Sequence, residues 1–287
     1  MPTLQQLRKR YHEALCERAL GLRPKEKIPN IADNGQQSSI EIAQGLAERI
    51  CSGLQVVNHS PQTLGKVFAE LTCNFLQDAF ECLRHLRPGA WSFDTAVGSG
   101  GISRFAQYAH LADIQKLVDD RRDLRASLGG DYLVVPDVVV YRAPMSDVEI
   151  NRSGAGLKRD DKVVRRSPLR LGNVADSPPI LLASISMKWT MRSDRAQNTR
   201  TEALNLLRNR KGGTPQIVVV TIEPMPSRIA SIAMGTGDID CTYHAALDEL
   251  IESVRSCGRT DQLEVLQTLI EGRRLRDISD LPLDLVA

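Results

Sequence analysis

Apolar positions in the first third of the chain recur with a helical period. Leu4, Leu7, Tyr11, Leu15 and Ala19 fall three or four apart, with Arg and Glu opposite, and predict a helix over 3–20. A polar stretch, NIADNGQQSS (30–39), interrupts the pattern, and Ser39 is placed to cap a second amphipathic helix over about 40–54. A third helix, about 63–84, carries Phe68, Leu71, Phe75, Leu76 and Phe80 at core spacing. WSFDTAVGSGG (91–101) reads as a short strand ending in glycines, and 102–128 as a charged helical region.

The second half alternates strands with helices. DYLVVPDVVVY (131–141) reads as a buried strand, with Pro136 marking a bulge or an edge. The polar, basic region 152–177 reads as a loop. PILLASISMKWT (179–190) is a strand, and DRAQNTRTEALNLLRNRKGG (194–213) a helix capped by Ser193 or Asp194 and stopped by Gly212 and Gly213. QIVVVTIE (216–223) is a fully buried strand, followed by a short helix near 226–234, a strand over 238–244 and a helix from Ala245 to about Ser256. The expected fold class is α/β: a central mixed sheet flanked by helices, preceded by a helical region. No linker is long enough to divide the chain, so a single domain is expected over 1–287, with its helical part at about 1–128 and its α/β core at about 129–260.

Composition adds mainly exclusions. With 42% hydrophobic and 25% charged residues, the 287-residue chain can bury a full core and is not disordered. No uncharged apolar run reaches about 18 residues, which excludes a membrane-spanning helix. The N-terminus lacks the apolar core of a signal peptide, so a cytoplasmic location is expected. Six cysteines occur with no Cys-x-x-Cys, which reads as free thiols in a reducing compartment, and the five histidines show no ligand spacing. The net charge of +2 is uninformative, but 188–211 holds seven basic and two acidic residues, net +5 over 24 positions. Such a run is either a solvated helix face or a phosphate-contacting surface.

Two charged residues sit awkwardly in the strand pattern. Along 179–190, Leu181, Ala183, Ile185, Met187 and Trp189 alternate with Ser184, Ser186 and Lys188. A lysine at the end of a buried strand needs a partner or an exit to water, and so does Asp137, which interrupts an apolar run directly after a proline. If the two strands lie side by side, these groups meet. They then form either a structural ion pair or a nuclease centre. Phosphodiester cleavage needs a divalent ion against the growing phosphate charge and a polarised water aimed in line. An aspartate suits Mg²⁺, and a lysine can hold the attacking water. The usual motif puts a second acid two residues before the lysine. That place is Ser186, so another acid must serve, with Glu202 on the following helix and Glu70 on the third helix as candidates. The glycines at 98–101 admit a methyltransferase reading, but the third glycine of a dinucleotide fingerprint and its acidic follower are missing.

At these residues the sequence resembles the NgoMIV family of type II restriction endonucleases, within the PD-(D/E)xK nuclease superfamily. The likeness is densest at ASISMKWTMRSDRAQNTRTEALNLLRNRKG (183–212), QIVVVTIEPMPSRIASIAMGTGDIDC (216–241) and RLRDISDLPLDL (274–285). It implies a restriction-endonuclease-like core, Mg²⁺-dependent cleavage of double-stranded DNA at GCCGGC with 5′ overhangs, and a homotetramer built as two dimers. A cognate DNA methyltransferase in the same system follows from it as well. By the same resemblance Asp137 is the metal-binding carboxylate, Lys188 orients the water, Ser186 takes the usual acid's place and Glu202 supplies the acid. The Met187 carbonyl completes a metal site. Arg192, Asp194 and Arg195 match the segment that reads the central CCGG, through guanine O6 and N7 and cytosine N4. Asp33 and Gln62 match positions that read the outer pair. The family has a glutamate directly after the phenylalanine of Gln-x-x-Gly-x-x-Phe. Here Gln62, Gly65 and Phe68 fit, Ala69 follows, and Glu70 comes one later. The alternative is a DNA-binding protein of this fold that does not cleave.

Overall fold

The two periodicities become two layers around one sheet. The computed structural model describes residues 1–95, 101–121, 134–158, 160–171, 177–191, 193–235 and 237–287, and the side chains of 119 and 193–196 lie outside that description. Three helices open the chain: α1 (Leu4–Arg18), α2 (Gln37–Ile50) and α3 (Pro61–Leu83). Thr3 and Ser60 cap the first and third through their side-chain oxygens, and Pro61 stands in the first turn of α3, where its missing N–H costs nothing. Ser39 does not cap α2. The helix begins at Gln37, and the buried Ser39 hydroxyl instead accepts from the Asp33 N–H at 3.0 Å. The predicted 102–128 helix is shorter, α4 (His110–Asp120) after a 3₁₀ turn at Gly101–Arg104, and 122–128 lies outside the described residues.

The described strands form one six-stranded sheet in chain order: β1 (Trp91–Asp94), β2 (Val138–Arg142), β3 (Ile180–Lys188), β4 (Gln216–Thr221), β5 (Cys241–His244) and β6 (Leu275–Asp277). The first three strands are antiparallel neighbours and the last four are parallel, so the sheet is mixed as expected. Pro136 lies ahead of β2 and leaves its ladder intact. Helices α5 (Ser193–Asn209), α6 (Pro226–Ala233) and α7 (Leu247–Ser256) join the parallel strands or follow them. Helix α8 (Thr260–Glu271), β6 and α9 (Leu281–Val286) complete the fold beyond the last element expected from the pattern.

One face of the sheet packs on α1–α3 and the C-terminal helices through residues such as Val138, Ala183, Ile185 and Val220. The other packs on α5 and the 102–111 segment through Val139, Leu181, Ile217 and Val219. The strict alternation expected along β3 fails at one place. Val140 pairs with Ala183 but Tyr141 with Leu181, so Leu182 is an extra residue and Leu181 turns to the α5 face. Beyond that bulge Ser184, Ser186 and Lys188 keep the opposite face from Ala183, Ile185 and Met187.

The cysteine expectation is corrected in one respect. Cys16 and Cys51 form a disulfide between the end of α1 and the end of α2, while Cys73, Cys82, Cys241 and Cys257 are free. No helix among the described residues is long and apolar enough to cross a membrane.

Candidate active site

The last rungs of β3 carry the charged residues singled out by the strand pattern. Val138 pairs with Ile185, which puts Asp137 just outside the ladder and level with the end of β3. Its carboxylate accepts the Met187 backbone N–H at 2.7 Å and stands 3.8 Å from the Lys188 ammonium. The Lys188 side chain is largely buried at 18% exposure while Asp137 is about half exposed at 45%, so the pair opens to the surface on the aspartate side. Lys188 is also the last β3 residue in register with β4, opposite Thr221.

Helix α5 returns along the sheet with Thr199, Ala203 and Leu206 buried, which leaves the adjacent Glu202 at the edge of the packed face. Burial raises the Glu202 carboxyl above the ordinary carboxylate value; the Lys188 charge pulls it down, and the Asp137 charge pushes it up again. These three residues therefore share one electrostatic centre, with Ser186 half-buried on the same face of β3. Among the described residues no group of three or more His, Cys, Asp or Glu side chains assembles to hold a metal ion. The donors that do converge are two carboxylates beside the Met187 backbone. Hard oxygen donors of this kind suit Mg²⁺, and the mutual repulsion of Asp137 and Glu202 is what a divalent cation would relieve.

Glu70 is engaged by a different partner. Its carboxylate accepts two bonds from the Arg18 guanidinium at 3.1 and 3.0 Å on an exposed surface. The cause is helix phase: Phe68 packs edge-on against Trp189 and Ala69 is buried beside it, so the next residue is rotated by about 100° toward solvent. The candidate base readers lie directly after this centre in the chain. Arg192 is outside the described residues; Asp194 and Arg195 fall in the first turn of α5, with side chains outside the description.

Two cavities flank Thr190 just beyond β3. One, of about 530 Å³, is lined by Arg23, Lys25, Asn58, His59 and Trp189 among others. Gln62, exposed in the first turn of α3, lies between Pro61 and Leu64, which also line it. The other, of about 190 Å³, is lined by Arg23, Asp33, Asn34, Thr190 and Arg228 among others. Asp33 is ion-paired with Arg228, which also donates to Gln36 at 3.2 Å. Arg228 was not singled out from the sequence, since 195 positions separate it from Asp33. The basic run is divided in use: Arg200 is anchored to Asp238 at 2.7 Å and to the Ile232 carbonyl at 3.0 Å, so it holds α5 against α6.

Comparison with known proteins identifies the family of the chain. The model of the family described as NgoMIV restriction enzyme matches residues 11–287. The type II restriction enzyme NgoMIV of Neisseria gonorrhoeae is 44% identical over 287 residues, covering 99% of each chain. A solved complex of restriction endonuclease PspGI with substrate DNA aligns over 100% of this chain and 92% of that one, at 12% identity and a TM-score of 0.25, too slight a likeness to bear on the fold.

Proposed function

The chain belongs to the NgoMIV family of type II restriction enzymes, and from that premise we propose that it hydrolyses double-stranded DNA at GCCGGC with Mg²⁺, leaving 5′ overhangs. The observation that carries the proposal is the end of β3, where the Lys188 ammonium lies 3.8 Å from the Asp137 carboxylate with Glu202 close enough to feel both charges.

Hydrolysis forms a bond from a water oxygen to phosphorus and breaks the bond from phosphorus to the sugar oxygen. Lys188 holds that water and stabilises its deprotonated form, the proton passing to solvent, while the departing sugar oxygen takes up a proton from solvent. Asp137, Glu202 and the Met187 carbonyl would hold Mg²⁺, which when bound supplies neutralisation of the charge growing on the phosphate. Ser186 fills the place of the usual acid without adding a charge, so Glu202 restores the second carboxylate from the helix. Glu70, engaged by Arg18, is given no place in the centre. Arg192, Asp194 and Arg195 read the central CCGG, and Asp33 and Gln62 read the outer pair from the two sides of Thr190. Arg228, which holds Asp33, belongs with that reading set. The proposal extends to a homotetramer of two dimers, each on one duplex, a cognate methyltransferase as protective partner, and a cytoplasmic setting.

A non-cleaving reader of the same fold would need neither Lys188 nor Glu202 at this position. Incubation of a supercoiled plasmid bearing GCCGGC sites, with and without Mg²⁺, separates the two. Linear product only with Mg²⁺ supports the proposal, and site-specific binding without any strand break supports the reader.

A further inference from the structure

A fully buried carboxylate stands where the turn after β3 and the start of α6 meet. Glu223 lies two residues past β4 and is 0% exposed. One of its oxygens accepts the Met191 N–H at 2.6 Å, and the other accepts the Met225 N–H at 3.1 Å. Its own N–H donates to the Thr221 hydroxyl at 3.1 Å. Its carbonyl lies 3.2 Å from His244 Nε2, which donates there because His244 Nδ1 already accepts from the Ala246 N–H.

The two clamped amides are not arbitrary. The β3–β4 ladder ends at Lys188 and Thr221, and the two chains then part. Glu223 rejoins them through its side chain at Met191, three residues after Lys188 and immediately before Arg192. The second amide, Met225, is the N-cap of α6, the helix that carries Arg228. A single carboxylate thus fixes the turn leading from the catalytic lysine to the readers and the turn presenting the Arg228–Asp33 pair. Burying a carboxylate against two amides, with no cation bonded to it among the described residues, is costly, and an apolar filler would hold a core more cheaply. That cost points to a demand other than stability.

Building on the nuclease reading above, we propose that Glu223 is a positioning residue that sets the spacing between Lys188 and the DNA-reading turns, so that cutting is coupled to correct base reading. The groups facing it are His244 from β5, Arg228 from α6 and Asp33 from the loop before α2. Burial raises its carboxyl to about 7, with the two amides and Arg228 pulling it down and Asp33 pushing it up; His244 is kept neutral by burial, at about 4. Protonation would turn one oxygen into a hydroxyl facing an N–H and release one of the two turns.

The test compares the full-length wild type with Glu223→Gln and Glu223→Asp in single-turnover cleavage with Mg²⁺. The substrates are a duplex with one GCCGGC site and the same duplex with one base pair changed, assayed from pH 6 to pH 8. The expected result is that Glu223→Gln cuts the correct site roughly 10- to 100-fold more slowly, with a comparable loss in the ratio of correct to altered site. The wild-type ratio should fall as pH drops through about 7, while that of Glu223→Gln stays flat. A purely structural brace would lower the thermal midpoint and the active fraction but leave the ratio and its pH dependence unchanged, and that result overturns the proposal. Should Glu223→Gln fail to fold, a pH-independent wild-type ratio that Glu223→Asp also preserves overturns it equally. A wild type that cuts neither duplex removes the nuclease reading itself, whereas a cutting wild type with unaltered variants removes only this inference.

Discussion

Replacing Lys188 by methionine separates the two meanings of the Asp137–Lys188 contact. The substitution keeps the length of the side chain and removes its charge. At 3.8 Å and an effective dielectric of about 20, the gross attraction is roughly 4 kcal/mol. Asp137 is 45% exposed, so solvent screens most of that and the net loss to folding should be about 1 kcal/mol or less. Asp137 also keeps its bond from the Met187 N–H. On the proposed role of Lys188 in holding and activating the water, its loss should instead slow cleavage about 10²- to 10⁴-fold, or roughly 3–5 kcal/mol of barrier. Urea unfolding, single-turnover cleavage and gel-shift binding with Ca²⁺ in place of Mg²⁺ measure the three quantities side by side. A small stability change, intact specific binding and a collapsed rate are predicted. Near-normal cleavage, or activity lost only in proportion to folded protein, would show that the pair is structural and refute the reasoning.

Glu202→Gln should slow cleavage far more than Glu252→Gln, whose carboxylate pairs with Arg255 on an exposed surface; equal mild effects in a cleavage time course would mean another acid serves. Arg192→Ala should weaken binding to the correct site by about 1–3 kcal/mol, while Arg208→Ala, at the far end of α5, should change only the salt dependence of all binding; competition titrations against random DNA would expose equal losses for both. Arg8 donates to both Glu249 and Asp277 at 2.7–2.9 Å, and Arg8→Ala should destabilise the fold by up to about 3–5 kcal/mol because two partly buried carboxylates lose their cation, with a loss below about 1 kcal/mol in urea unfolding counting against it. Burial alone would raise those two carboxyls, yet Arg8 holds both below the usual range; their contribution is therefore present above the unfolded carboxylate value near ~4 and is lost as pH falls through the lower folded values, so wild type and Arg8→Ala should converge in stability in acid.

What could be read from the chain followed its periodicities. The helices α1 and α3, the valine-rich strands and the opposition of Asp137 to Lys188 all came from local spacing and from the cost of leaving a charge unpaired. The bulge at Leu182 did not, because apolar residues on both faces of a buried strand hide a change of register. Nor did β6, three residues with Arg276 in the middle, which takes its place only because β5 offers an edge. Long-range polar pairs carry no local signature at all: Arg8 meets Glu249 across 241 positions and Arg228 meets Asp33 across 195. Glu223 was legible only as the acidic end of an apolar run. Its isolation there was a usable signal, since a carboxylate closing a buried strand must find donors somewhere. Glu70 shows the reverse case: one residue of helix phase past the motif turns its carboxylate to Arg18 on the exposed face.

The central claim is that Asp137, Lys188 and Glu202 form one phosphodiester-cleaving centre attached to a GCCGGC reader. Sequencing both strands' ends after Mg²⁺ digestion of a defined DNA, with wild type and Asp137→Asn in parallel and a footprint of each, tests it most directly. The account predicts that wild type leaves the same 5′-overhanging ends at every GCCGGC, and that Asp137→Asn protects the same sites but produces no ends. Scattered ends from the wild type, or normal cutting by Asp137→Asn, would contradict it.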